Sequence, residues 1–86
     1  MNGRREQRSP NKFVILLSNG TKPVVAECVS TENISDNGAR VRTARPWKPD
    51  ARVLVKSPLA ELEARVVYCQ TLPDATFAVG LEFLRQ

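Results

Sequence analysis

Apolar and polar residues alternate along most of the chain. Phe77, Val79, Leu81 and Phe83 are separated by Ala78, Gly80 and Glu82, a period of two. Leu62, Ala64, Val66 and Tyr68 alternate with Glu61, Glu63 and Arg65. Ala39, Val41 and Thr43 alternate with Arg40 and Arg42. Val53 and Val55 alternate with Arg52 and Lys56, although Leu54 blurs the pattern. Phe13 to Leu17 is a continuous apolar run, as in a strand buried on both faces. Lys22 to Thr31 is rich in strand-forming residues but less cleanly patterned.

Breakers separate these runs at short intervals: Ser18-Asn19-Gly20, Asp36-Asn37-Gly38, Pro46 to Asp50, Ser57-Pro58 and Pro73-Asp74. The Asn-Gly pairs at 19–20 and 37–38 favour positive φ, and Gly38 is expected to serve a turn in that way. Pro58 to Glu63 has a weak pattern for a single helical turn. Six short strands at this spacing predict an all-β fold, a small antiparallel barrel. Closure suits so short a chain, because it removes exposed edges and gathers one core. Trp47, between Pro46 and Pro49, is expected to plug one barrel end rather than serve as a base-stacking platform.

Two segments stand outside that pattern. Residues 1–11 are polar and arginine-rich and read as a flexible N-terminal arm; residues 12–86 form the barrel. Asn33 to Gly38 is a polar stretch between two strands. Both return little buried apolar area for the ordering entropy they cost. Loops on a rigid scaffold are where binding residues concentrate.

Composition narrows the chemistry. The net charge of +4 is modest but unevenly placed, with Arg4, Arg5, Arg8 and Lys12 set against Glu6 alone at the start. Nine of the thirteen cations are arginine, whose planar fork of donors suits phosphates and guanine edges. Histidine is absent, which removes histidine-based acid–base catalysis, the histidine-dependent nucleophile arrangements and histidine metal ligands. Cys28 and Cys69 form no CxxC pair and alone cannot build a zinc site, so no metal residues are assigned. With no export signal, the two thiols are expected to be reduced and buried or half-buried in a cytoplasmic protein. There is no apolar run long enough for a membrane span. No paired-carboxylate site and no phosphate-binding glycine loop followed by a helix can be placed, so no catalytic residues are assigned either. Glu61 and Glu63 share one strand face and read as solvated.

Arg4-Arg5-Glu6-Gln7-Arg8 reads as RxxxR, and Asn33-Ile34-Ser35-Asp36-Asn37-Gly38 reads as [DN]xSxxG. Val79-Gly80-Leu81-Glu82-Phe83 has the form of a G-x-x-F last strand. In this order and separation the motifs resemble the PilZ domain, the bacterial receptor module for the second messenger cyclic di-GMP, over nearly the whole chain. The resemblance implies that Arg4 and Arg8 take phosphate and guanine edges, with Arg5 adding a phosphate contact or stacking on a base. It implies that Asn33 and Ser35 bond ligand polar groups while Gly38 permits the turn. Asn33 keeps the acceptor oxygen of the family's Asp but not its charge, so its bond to guanine N–H groups should be weaker. Arg40 and Arg42 follow the loop on one strand face and are candidate extensions of the ligand patch, with a solvated barrel face as the alternative. Turn capping is the alternative for Asn33 and Ser35.

The expected function is therefore that of a non-enzymatic receptor without a cofactor. Cyclic di-GMP would bind between the RxxxR arm and the NxSxxG loop, and ordering of the arm would signal to an unidentified protein effector. The 86 residues leave no room for an output domain, so the expectation is an adaptor or a receptor piece of a longer chain. Two rivals stay open. One is a PilZ-type interaction module that works without nucleotide. The other, less favoured, is a basic barrel binding single-stranded nucleic acid, a mode that needs stacking aromatics where this chain has only five aromatic residues.

Overall fold

The computed structural model describes residues 14–58 and 60–84. The arm, with Arg4, Arg5 and Arg8, lies outside the described residues. Six strands follow one another: β1 (Val14–Ser18), β2 (Ala26–Ile34), β3 (Gly38–Thr43), β4 (Arg52–Lys56), β5 (Glu61–Thr71) and β6 (Phe77–Phe83). They close into an antiparallel barrel in the order β1-β2-β3-β6-β5-β4. No helix occurs among the described residues.

The alternating residues deliver the core. Ile15, Leu17, Val29, Val41, Val53, Val55, Ala64, Val66, Val79 and Leu81 point inward and form one buried cluster with Trp47. Each fully buried valine or leucine side chain contributes about 1.5–3 kcal/mol. Phe77 and Phe83 are half-buried at the ends of β6 and pack against this cluster. The connection from β3 to β4 crosses one barrel end, because these strands are not neighbours. Trp47 sits in that connection, buried, and donates its Nε1–H to Glu27 Oε1 at 3.1 Å. The other Glu27 oxygen accepts the Ala44 N–H.

Several sequence expectations need correction. β1 is not buried on both faces: Ile15 and Leu17 are inside, but Val14 is 61% exposed. A single-walled barrel has no second layer to cover an outward residue. In place of a helical turn at Pro58 to Glu63, the main chains of Ser57 and Ala60 bond each other in a hairpin, and β5 starts at Glu61 opposite Lys56. Cys28 is exposed rather than buried, because it faces outward across from Leu16; Cys69 is half-buried as expected. Both are free thiols. Gly20 has φ of +71°, but Gly38 does not need a positive φ. Gly38 opens β3 pressed against β6, where a Cβ would lie 2.1 Å from the Leu81 carbonyl oxygen.

Two strands each carry one extra residue. On β2, Thr31 pairs Val41 and Asn33 pairs Arg40, so Glu32 is bulged out. On β5, Val66 pairs Leu81 and Tyr68 pairs Gly80, so Val67 is bulged out. A bulge resets the phase of the pleat. Tyr68, expected on the inner face with Val66, emerges on the outside instead.

Candidate functional site

The two bulges bracket a concavity of mixed polar and apolar lining on the outer wall. Its volume is about 580 Å³, within the range of ordinary ligand sites. The strand register sets out its floor as a grid. One row runs Asn33, Arg40, Gly80, Tyr68 across β2, β3, β6 and β5. The next runs Gly38, Glu82, Arg65 across β3, β6 and β5. The 35–37 turn forms one rim, contributing Ser35 and Asn37.

The turn is built by its own side chains. The Ser35 N–H bonds the Gly38 carbonyl at 2.8 Å. Ser35 Oγ accepts the Asn37 N–H at 3.3 Å and donates to the Gly38 carbonyl at 3.4 Å. The Asn37 carbonyl accepts the Phe83 N–H at 2.8 Å, tying the turn to the end of β6. Ser35 thus caps the turn and also lines the concavity. Asn33 belongs to β2 rather than to a loop, which gives it a fixed strand position at the concavity's edge.

The cations are held by carboxylates. Bulged Glu32 reaches both arginines of β3, with Oε1 3.3 Å from Arg40 Nε and Oε2 2.9 Å from Arg42 Nη2. Arg42 also approaches Asp74 Oδ2 at 3.5 Å in the β5–β6 turn. Arg40 lines the concavity and Arg42 does not, so the structure separates the two candidate extensions. Arg65 on β5 donates from Nη2 to Glu82 Oε1 at 2.7 Å and from Nη1 to Asp50 Oδ1 at 2.9 Å. The hydrogen bond and charge of Glu82, followed by those of Asp50, raise the Arg65 pKa above the usual arginine value. Glu63 lies 3.5 Å from Arg52, and Glu61 is exposed.

Sequence reading did not single out Arg65, Tyr68, Glu82 or Val67, yet all four line the concavity. Tyr68 is 38% exposed, and its ring lies on Gly80: a Cβ there would be 2.2–2.7 Å from three ring atoms. The glycine therefore makes room for an aromatic ring laid along the sheet. Such a ring can offer a π-face to a planar ligand. A signal was present in the pairing of an aromatic on one strand with a glycine on the next: Gly80 faces outward by the plain alternation of β6, but only the β5 bulge turns Tyr68 outward to meet it. Among the described residues, no group of three or more acidic or cysteine side chains is placed to hold a metal. No helix among them is long and apolar enough to cross a membrane.

A closed six-stranded antiparallel barrel with an outward concavity, rimmed by an NxSxxG turn, defines a class of small all-β domain. The chain belongs to the PilZ domain family, whose family model matches residues 2–86. No curated protein and no solved structure gives a significant match.

Proposed function

We propose that the protein is a bacterial cyclic di-GMP receptor of adaptor type, working in the cytoplasm and without enzymatic activity. Membership of the PilZ domain family supports the ligand class. The observation that carries the reading is the convergence of Asn33, Ser35, Gly38 and Arg40 on one concavity, with Arg65 and Tyr68 added to it. This set has what a cyclic dinucleotide needs. Guanidinium groups meet phosphates or the O6 and N7 acceptors of guanine. Asn33 and Ser35 supply polar bonds, and Tyr68 supplies a stacking face.

Arg4, Arg5 and Arg8 complete the site in this reading by closing over the ligand from the arm. Binding fixes the arm on the barrel, and that placement is what a partner protein reads. Titration calorimetry with cyclic di-GMP tests the proposal. Heat of binding is expected, and its weakening in Arg4→Ala and Arg8→Ala by roughly 1–3 kcal/mol each marks the loss of bidentate contacts. No heat at tens of micromolar protein would overturn it.

One observation favours a second reading. Arg40 and Arg65, the two arginines in the described concavity, each already have carboxylate partners. A PilZ barrel in which these pairs persist would serve as a nucleotide-independent protein-interaction module. A partner retained by the wild type equally with and without cyclic di-GMP would support that alternative.

A further inference from the structure

Among the described residues, Glu82 is the one carboxylate that lines the concavity. Its position is costly for a site that takes a ligand with two phosphates, since a fixed negative charge nearby opposes binding. Glu82 is the nearer partner of Arg65, but Arg65 also has a second carboxylate partner, Asp50 at 2.9 Å, outside the concavity's lining, so the ion pair alone does not require a carboxylate inside the concavity. Glu82 stands on β6 between Gly38 and Arg65, one row from the Tyr68 ring. Arg65 grips one of its oxygens, Oε1, and so fixes where the carboxylate sits.

A carboxylate is acceptor-only and has about four lone-pair positions, of which the Arg65 bond uses one. What it needs from a ligand is a pair of donors. Phosphates have none. Guanine carries N1–H and N2–H₂ side by side, spaced for the two oxygens of one carboxylate. Asn33, the acceptor amide at the edge of the floor, is neutral and brings a single acceptor oxygen. It lies two strands away from Glu82, across β3, so the two side chains address different parts of a ligand.

We propose that Glu82 is a specificity-determining residue: it accepts the N1–H and N2–H₂ edge of one guanine, with Arg65 as the positioning residue that holds it. This inference rests on the receptor reading above and adds base selection to it. The negative charge is then offset by two charge-assisted hydrogen bonds that adenine and hypoxanthine bases cannot both form.

Calorimetric titration of the full chain, wild type and Glu82→Gln, with cyclic di-GMP, cyclic di-AMP and cyclic di-IMP tests it. The hypoxanthine analogue keeps N1–H and lacks the N2 amine. The wild type should prefer cyclic di-GMP to cyclic di-IMP by roughly ten-fold or more. In Glu82→Gln the preference should shrink to about three-fold or less, through weaker cyclic di-GMP binding. Glu82→Asp keeps the charge but shortens the reach, and should also lose selectivity while keeping the salt dependence of the wild type. Unchanged selectivity in both variants, or tighter cyclic di-GMP binding by Glu82→Gln with selectivity kept, overturns the proposal and leaves Glu82 a mere counter-charge. A wild type that binds none of the three dinucleotides defeats the receptor reading itself, and the inference with it.

Discussion

Asn33 on β2 and Tyr68 on β5 stand in one row across the barrel wall, with Arg40 and Gly80 between them. Each comes immediately after a bulged residue, Glu32 in one strand and Val67 in the other. Bulges re-aim the side chains that follow them. Here one strand on each side of the concavity is shifted in phase, so a polar amide and an aromatic ring face outward where strict alternation would turn them inward. The bulged Glu32 is also the residue that holds Arg40.

Tyr68→Ala should weaken cyclic di-GMP binding by roughly 1–3 kcal/mol if the ring stacks on a base. Tyr68→Phe should stay close to the wild type, because the stacking face survives without the hydroxyl. Calorimetry on the two variants reads this directly. Equal losses in both would assign the effect to the hydroxyl.

The two floor glycines should respond differently to alanine. At Gly38 the new Cβ would meet the Leu81 carbonyl at 2.1 Å, so β3 and β6 would have to part. Gly38→Ala should cost about 2–3 kcal/mol of stability, as overpacking does, along with the ligand site. At Gly80 the obstacle is the Tyr68 ring, a side chain that can swing away. Gly80→Ala should therefore lose less stability in denaturant unfolding while still displacing the stacking face. Equal stability losses would contradict this account.

The barrel was legible because its inward residues alternate so plainly. Val41 and Thr43 on β3, and Val53 and Val55 on β4, lie inside as the period of two requires. The rim was legible in part through Asn33, Ser35 and Gly38, which all line the concavity. Tyr68, Arg65 and Glu82 were not, for a physical reason. A bulge adds one residue to a strand without any glycine or proline to mark it, and Val66-Val67-Tyr68 reads as uninterrupted strand. Arg65 and Glu82 come together only through the β5–β6 register. Gly38 shows the converse: a positive φ was expected there, and the structure instead requires the glycine for close approach to β6.

Ala75 offers a test of stability away from the site. It holds φ of +71° in the turn between β5 and β6, where its N–H bonds the Leu72 carbonyl at 3.0 Å. A left-handed alanine costs roughly 1–2 kcal/mol, and glycine removes that cost while giving back about 0.4–1 kcal/mol through its freer unfolded chain. Ala75→Gly should therefore stabilise the protein by about 0.5–1 kcal/mol, seen as a rise of a few degrees in the thermal midpoint. Ligand affinity should not change, because Ala75 does not line the concavity.

The same turn carries an acid-sensitive contact. Asp74 Oδ1 accepts the Thr76 hydroxyl at 2.5 Å and the Thr76 N–H at 3.0 Å. These two bonds, helped by the charge of Arg42, hold the Asp74 pKa below the usual aspartate value. A carboxyl whose pKa is lower folded than unfolded binds fewer protons in the native state. Its contribution is therefore complete above the unfolded value, near pH 4, and fades as pH falls through the lower folded value. Asp74→Asn should make the protein less stable at neutral pH and flatten the fall in stability below about pH 4. Thermal midpoints of the two proteins, compared from neutral pH down to about pH 2, should converge as acid protonates Asp74 in the wild type. Parallel curves across that range would place the acid sensitivity on other carboxylates.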